Sequence, residues 1–308
     1  MTEEFQARVE DEAEDLVRQQ SFEVDGPVEL DLRSGAGRIE VRLVDEAGVH
    51  VEIRHDPSAA SPWMRGVSSL LTWVSDQFGG QFGEQVGEVS PAEAVRQTRI
   101  ELTGNRVVVR TPLALPLRTV PVAVTVRAPA GSHVTARSGA ASISVTGTAG
   151  RLDLHSGSGE INAERADGAA SVQSGSGAVR LGAMPAGLRA RTGTGDVEVS
   201  AVGGPTSLHT GSGDVWLGAV SGDVMARTGS GDLTVADATS GQIELQTGSG
   251  AIRIGVRKGS PAEVDLSSAT GEARSELALS DTRPESEPTL RIRGRTASGI
   301  AVVSPAAT

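Results

Sequence analysis

Hydrophobic and polar residues alternate through the second half of the chain, and glycine-rich turns interrupt the alternation at regular intervals. Six turns of related sequence begin with a serine or threonine at positions 156, 174, 192, 210, 228 and 247, which gives four steps of 18 residues and one of 19. So short a period, with valine and isoleucine in alternation, is typical of a solenoid whose coils stack directly on one another. The sequence therefore predicts an all-β fold, a single parallel β-helix or solenoid with about 18 residues per coil.

Aligning the repeats on the hydroxyl residue predicts which side chains face the core. Positions that lie two residues apart on a strand share a face, so two apolar columns are expected to point inward and the polar column between them outward. The inward columns are Leu154, Val172, Ala190, Leu208, Ala226, Leu245 and Leu266 before the turn, and Ile161, Val179, Val197, Val215, Leu233 and Ile252 after it. The outward column is Arg137, His155, Gln173, Arg191, His209, Arg227 and Gln246.

Each coil should then hold two short strands, and like residues should lie above one another in successive layers of one spiral. Parallel strands lie about 4.8 Å apart, so eight to ten coils would form a rod roughly 40 to 50 Å long.

Less regular copies of the repeat flank the array. The segment RSGAGRIEV begins at Arg33, and LRIRGRTASGIAVV follows a Pro/Glu/Ser-rich loop near the end of the chain. Irregular terminal copies are typical of capping coils. We therefore expect one elongated body, made of an acidic segment (1–20), the first solenoid strands (21–58), a helical aromatic-rich insertion (59–98) and the remaining solenoid with a C-terminal capping coil (99–308).

An aromatic-rich segment between residues 62 and 82 interrupts the β pattern. It contains four of the seven aromatic residues of the chain, and its apolar residues recur every three or four positions, which predicts a helix with one apolar face. The candidate interaction residues are Trp63, Val67, Leu70, Leu71, Trp73, Val74, Phe78 and Phe82. Such a helix could seal an end of the solenoid, dock a partner or a second copy, or rest on a membrane surface. The membrane alternative is the least favoured because the helix lacks a basic flank.

Composition and charge narrow the class of protein. Aromatic residues make up only 2% of the chain and cysteine is absent, which fits a narrow core of small aliphatic residues. The net charge of −11, with seven acidic residues against Arg8 in residues 1–15, disfavours nucleic acid and anionic membranes as partners. Because no segment resembles an export signal or a membrane span, we expect a cytoplasmic protein.

An aspartate follows the turn glycine in three consecutive repeats, at Asp196, Asp214 and Asp232. Stacked carboxylates repel one another and calcium could neutralise them. However, the same position is alanine in two other repeats, so we favour turn aspartates that accept backbone N–H groups.

Candidate catalytic groups do not converge in the sequence pattern. His155 and His209 share a column but are separated by three coils, or roughly 14 Å, and the stacked hydroxyls are expected to bond the backbone. A polysaccharide-cutting site could only be built from a set such as Asp153, Arg189, Arg191 and Asp196. No phosphate-binding or dinucleotide motif is present. We therefore expect no enzyme activity, no cofactor and no metal site.

The segments TGTGDVEV, TGSGDVWLGAVSGDV, VPVAVTVRAPAGSHV and RIRGRTASGIAVV resemble the bacterial "putative adhesin" family of unknown function, especially its actinobacterial members, over roughly residues 20–305. The resemblance implies a β-solenoid similar to the bactofilin scaffolds, and no catalytic residues. The chain departs from the family in its aromatic-rich insertion and its lack of an export signal. We therefore predict a non-enzymatic scaffold or protein-interaction module that forms homo-oligomers through the aromatic helix. The alternative is a cell-surface adhesin or a carbohydrate-binding or carbohydrate-acting β-helix protein.

Overall fold

The computed structural model describes residues 17–59, 90–278 and 288–307. These residues form two long sheets, one short helix, α1 (Pro91–Arg96), and 3-10 turns at Pro57–Ala59 and Leu117–Thr119. The strands are β1 (Val17–Phe22), β2 (Glu29–Ser34), β3 (Ala36–Val44), β4 (Val49–His55), β5 (Arg99–Thr103), β6 (Arg106–Arg110), β7 (Pro121–Pro129), β8 (His133–Ser138), β9 (Ser142–Ala149), β10 (Arg151–Ser156), β11 (Ile161–Ala166), β12 (Ala170–Ser174), β13 (Val179–Met184), β14 (Leu188–Thr192), β15 (Val197–Val202), β16 (Thr206–Ser212), β17 (Val215–Val220), β18 (Val224–Ser230), β19 (Leu233–Ala238), β20 (Gly241–Ser249), β21 (Ile252–Val256), β22 (Ala262–Ser268), β23 (Ala273–Ser275), β24 (Leu290–Ser298) and β25 (Ala301–Pro305).

Each coil of the repeat contributes one strand to each sheet. Sheet A contains the strands that follow the turn, in the spatial order β1-β4-β7-β3-β9-β11-β13-β15-β17-β19-β21-β25-β23, and sheet B contains those that precede it, in the order β22-β24-β20-β18-β16-β14-β12-β10-β8-β2-β6-β5. Equivalent residues pair in parallel register, as Thr210 does with Thr192 and Thr228. The predicted solenoid is confirmed.

The core is a thin apolar layer between the two sheets. Both predicted inward columns are buried within the array, and Leu266 is only partly buried because its strand is the last in sheet B. Burial of each valine, leucine or isoleucine contributes about 1.5–3 kcal/mol, so stability comes from many similar rows. The hydrophobic alternation therefore determines which side chains fill the core of the array.

Glycine is required at the turns because successive coils touch there. A side chain at Gly175 would run into the carbonyl oxygen of Gly157 one coil away, and one at Gly193 would meet the carbonyl oxygen of Gly175 in the same way. The repeated glycines thus allow the coils to approach to hydrogen-bonding distance.

The coils at the N-terminal end are not stacked in chain order. Strand β2 pairs with β6 on one side and β8 on the other, and β3 lies between β7 and β9 in the same way. The first coil of the chain is therefore internal, and the later β6/β7 coil lies outside it. At the crossing between β7 and β8, the buried Ser132 hydroxyl donates to Pro129 O (2.6 Å) and accepts from Val28 N (3.0 Å).

The C-terminal end shows the same arrangement. Strands β24 and β25, the last in the chain, lie between the β20/β21 coil and the β22/β23 coil. The expectation of one continuous spiral in chain order is thus wrong at both ends. Eleven layers of two parallel strands each are stacked within the described residues and span about 50 Å. This is one more than the upper limit of ten coils expected from the sequence.

The two ends of the solenoid are capped differently. At the N-terminal end, β1, β4 and β5 run antiparallel to their neighbours, and α1 packs Ala94 and Val95 against β4 and the 3-10 turn at Leu117–Thr119. Helix α1 lies inside the predicted insertion at 59–98, and β1 crosses the predicted boundary at residue 20. At the other end, the inward side chains of β22 are only half-buried.

The coil order predicts that truncating two side chains of equal size to alanine lowers the free energy of unfolding by unequal amounts. Ile292→Ala, in the internal β24, should lower the free energy of unfolding by about 2–5 kcal/mol because it leaves a cavity between two coils. Leu266→Ala, in the terminal β22, removes the same number of atoms from a half-buried position and should cost less than half as much. Urea denaturation measures both. Equal or reversed losses would mean that the coils follow chain order.

Candidate interaction surfaces

The predicted docking helix lies outside the described residues. Its candidate interaction residues are Trp63, Val67, Leu70, Leu71, Trp73, Val74, Phe78 and Phe82. Their role in an interaction stays a prediction.

The aspartate column forms a ladder of backbone contacts. Oδ1 of Asp196 accepts from the N–H of Asp214 (2.9 Å), and Oδ1 of Asp214 accepts from the N–H of Asp232 (2.8 Å). Oδ1 of Asp232 accepts from the N–H of Ala251 (2.8 Å), while its Oδ2 pairs with Nη1 of Arg253 (2.7 Å). Each carboxylate thus bonds the next coil, as favoured from the sequence. Within the described ranges, no three His, Asp or Glu side chains are grouped so that they could hold a metal ion.

The pKa of the Asp232 carboxyl is lowered by these same contacts. The N–H of Ala251 makes the largest contribution and the Arg253 guanidinium adds to it, because both stabilise the charged form more than burial penalises it. The carboxylate therefore stabilises the fold in its ionised state.

The serines and threonines that open the turns, at positions 156, 174, 192, 210, 228 and 247, form a hydroxyl column with a structural role. Ser174 Oγ donates to Gly177 O (2.7 Å), Thr247 Oγ1 donates to Gly231 O (3.0 Å), and Thr192 Oγ1 accepts from Gly195 N (3.0 Å). These hydroxyls are buried beneath the turn. Such contacts hold the turn and leave the hydroxyls no nucleophilic role.

The carboxylates and arginines that could have formed a polysaccharide-cutting site do not converge. Asp153 and Arg189 are two coils apart on the outer face of sheet B, and Asp153 pairs with His155 (2.9 Å) and Arg137 (3.8 Å). Asp196 lies beyond the turn, where it belongs to the aspartate ladder. The cluster considered from the sequence is therefore dispersed.

Sheet B instead carries one outward column of positive and polar side chains along its whole length. Strand register aligns these residues, which we call the arginine column, in the spatial order Arg99, Arg110, Arg33, Arg137, His155, Gln173, Arg191, His209, Arg227, Gln246, Arg295 and Ser267. None of its twelve members is acidic. The sequence pattern contained only the middle seven. Arg33 and Arg295 come from β2 and β24, the first and last coils in the chain, which lie between other coils, and the remaining three come from β5, β6 and β22 near the two ends of the sheet.

A buried carboxylate neutralises part of the column near the N-terminal end. Asp31 is only 2% exposed, and its oxygens lie within 3.1–3.4 Å of nitrogens of Arg33, Arg106 and Arg110. Burial by itself would raise the pKa of Asp31, but the three guanidinium groups together hold it below its ordinary value. Three arginines around one carboxylate leave this region positive.

Elsewhere on this face several arginines lack a partner. Within residues 17–59, 90–278 and 288–307, the side chains of Arg151, Arg189, Arg191 and Arg295 form no hydrogen bond or ion pair. Arg151 and Arg189 line a shallow groove of about 860 Å³, but three carboxylates, Asp153, Asp223 and Glu244, line it as well. Arg295 lines a second groove of about 690 Å³ with Arg227, and no acidic residue belongs to its lining. The second groove therefore combines open space with positive charge.

Trp216 lies on the outer face of sheet A and is 40% exposed. Glu198 and Thr234 flank it on the adjacent strands, and its indole ring lies over Gly218, where an added Cβ would be 3.1 Å from Cη2 of the ring and would collide with the carbonyl oxygen of Ser200. The indole thus lies on the sheet as an open aromatic surface beside polar groups. Trp216 is not among the candidates that the sequence pattern indicates, although its place between the inward Val215 and Leu217 predicts that it faces outward.

The match to a family model supports the fold, and the comparisons with known proteins leave the function open. The family model described as Toastrack DUF4097 matches residues 188–303. A "putative adhesin" from Bacteroides fragilis is similar at 10% identity and a TM-score of 0.43, over 94% of this chain and 96% of that one. A "putative lipid binding protein" from Parabacteroides distasonis is similar at 10% identity and a TM-score of 0.47, over 93% and 96%. Likeness at this level says nothing about what this chain binds.

The family match supports a relation to a family of β-solenoid proteins of unknown function. Comparison with curated proteins gives no match. Among the described residues, no helix has the length and apolar character needed to cross a membrane.

The aspartate ladder predicts a pH-dependent and calcium-independent contribution to stability. Asp232→Asn should lower the free energy of unfolding at neutral pH by about 0.5 kcal/mol, since it removes an exposed ion pair but keeps an oxygen that can accept from Ala251. The pKa of Asp232 is lower in the folded state, so this difference is complete above the unfolded pKa and disappears as the pH falls through the folded value. Urea denaturation across pH measures it. A melting temperature that calcium raises in the parent but not in the variant would instead indicate a cation site.

Proposed function

We propose that this chain is a non-enzymatic binding scaffold, a β-solenoid that presents aligned rows of polar and positively charged side chains to a partner. The arginine column is the observation on which the proposal mainly depends. Its residues come from twelve strands, yet strand register holds them in one line. A row of similar charges gives up stability to mutual repulsion, and departures of this kind are expected at functional sites.

Most of the other conspicuous polar groups of the described residues have structural roles. The aspartates bond the next coil, His155 pairs with Asp153, and most of the stacked hydroxyls bond the turn, although Thr210 Oγ1 is buried without a hydrogen-bond partner. Side chains so committed are poorly suited to proton transfer or nucleophilic attack, which supports a binding role over a catalytic one. We place this scaffold in the cytoplasm, which cell fractionation tests directly.

The aromatic-rich insertion is the proposed site of association with a second copy or a protein partner. Clustered tryptophan and phenylalanine are frequent anchors of protein interfaces. At the N-terminal end of the described core, α1 (Pro91–Arg96) packs against β4, β1 and the 3-10 turn at Leu117–Thr119.

Deleting residues 61–90 should leave a β-rich folded protein that no longer associates. Multi-angle light scattering should give an oligomer for the full chain and a monomer for the deletion variant. Circular dichroism and a thermal melt check that the solenoid is intact. The double substitution Trp73→Ser with Phe78→Ser keeps the length of the chain and controls for the deletion itself, and it should also dissociate the oligomer. An unchanged mass in both variants would refute association through this segment.

Trp216 supports a second candidate function, carbohydrate binding at the outer face of sheet A. An exposed indole offers an apolar surface to the C–H face of a sugar ring, and Glu198 and Thr234 beside it can bond hydroxyl groups. This function agrees with the alternative of a surface adhesin.

If sheet A binds sugars, Trp216→Ala should weaken the binding of chitohexaose or cellohexaose about tenfold, whereas Trp216→Phe should retain most of it. Isothermal titration calorimetry measures the affinities. Met225→Ala, which removes an exposed apolar side chain from sheet B, is the matched control and should have no effect. If the full chain binds neither oligosaccharide, or Trp216→Ala binds as well as the parent, sheet A has no such site.

A further inference from the structure

We propose that the arginine column binds an acidic polysaccharide laid parallel to the solenoid axis. The inference rests on the proposed scaffold function and names the class of partner for the outer face of sheet B. It does not depend on the aromatic-rich insertion.

Charge is the first reason. The chain has a net charge of −11, yet the arginine column contains seven arginines, two histidines and no acidic residue. Arg99, Arg110, Arg33 and Arg137 are consecutive in space, and like charges directly opposite one another destabilise a sheet. Asp31 offsets part of this repulsion at one end, and Glu101 and Asp153 pair with Arg99 and Arg137. Farther along the column, Arg227 pairs with Glu244. Toward the other end, Arg191 and Arg295 have no partner among the described residues, so an external anion is the natural source of compensation.

Spacing is the second reason. Hydrogen bonds between coils hold neighbouring members of the column about 4.8 Å apart along a straight line. A compact anion would reach only one or two of them, whereas an extended polymer with repeated charges could contact many at once. The groove lined by Arg227, Gln246 and Arg295 leaves room for such a polymer and has no acidic residue in its lining.

The side chains around the arginines favour a sugar polymer over other polyanions. Gln173 and Gln246 interrupt the arginines in the column, and exposed hydroxyls run beside it at the turn. These hydroxyl residues are Ser158, Ser176, Thr194, Ser212, Ser230 and Ser249. Amides and hydroxyls both donate and accept hydrogen bonds, which suits the many hydroxyl groups of a sugar chain.

Nucleic acid and acidic peptides fit this face less well. Single-stranded nucleic acid is commonly held by aromatic stacking, but the aromatic side chains among the described residues, Phe22 and Trp216, both belong to sheet A. An extended peptide typically pairs with free backbone groups at a sheet edge, whereas the column lies on the face of paired strands.

The test compares two triple variants that remove the same charge. Arg191→Gln, Arg227→Gln and Arg295→Gln together remove three members of the column. Arg180→Gln, Arg253→Gln and Arg257→Gln remove three exposed arginines, two from sheet A and one directly after its strand β21. The probe is polygalacturonate at low ionic strength. Neutral dextran, poly-dT and poly-L-glutamate are measured as comparison ligands that represent other classes of partner. Thermal melts check that each variant is folded.

The full chain should bind polygalacturonate but not dextran, with an affinity that falls as salt is added. The column variant should lose about tenfold or more in affinity, and the sheet A variant should stay within about twofold of the parent. No binding of polygalacturonate, equal loss in the two variants, or equal binding of dextran would overturn the inference. Tighter binding of poly-dT or poly-L-glutamate would also overturn it, since the partner would then belong to another class. If these tests fail while the full chain still associates through residues 61–90, the polysaccharide is rejected and the scaffold proposal stands.

Discussion

Parallel pairing of equivalent residues in successive coils is the constraint on which the rest of this structure depends. Because the backbone spacing between coils is about 4.8 Å, every position of the repeat must tolerate a copy of itself at that distance. Valine, leucine and isoleucine satisfy this requirement in the core, and glycine satisfies it at turns where Gly157 and Gly175 would otherwise collide. The composition of the chain, poor in aromatic residues and rich in glycine, follows from it.

The same constraint places like charges above one another, and the molecule compensates for this in two ways. Asp196, Asp214 and Asp232 each direct a carboxylate oxygen to the N–H of the next coil, so their stacking produces a ladder of charge-assisted hydrogen bonds. The arginines of sheet B have no equivalent ladder. Asp31 compensates three of them and other carboxylates pair with several more, while Arg191 and Arg295 remain uncompensated among the described residues. The two columns therefore differ in kind: every aspartate of the ladder bonds the next coil, while two arginines of the column are left without a partner in the described structure.

Much of the fold was predictable because it depends on local periodicity. Leu208 and Ala226 were expected above one another in the core and are found there, and the interpretation of Asp214 as a turn residue agrees with its contacts. The surfaces were harder to predict. An outward tryptophan such as Trp216 follows from the alternation, but its position over Gly218 depends on the path of its side chain. The arginine column was visible only in its middle part, because Arg33 and Arg295 belong to copies far away in the sequence.

The sequence by itself determined the length of a coil, the two strands in it, the faces of those strands and the turns between them, since each follows from residues close together in the chain. Only the tertiary structure decided which coil lies beside which at the two ends. Any coil of this repeat offers the same backbone groups and nearly the same apolar row to a neighbour, so local pattern does not distinguish the candidates. The insertion of β2/β3 and β24/β25 between other coils is what brings Arg110, Arg33 and Arg137 together at one end, and Gln246 and Arg295 at the other.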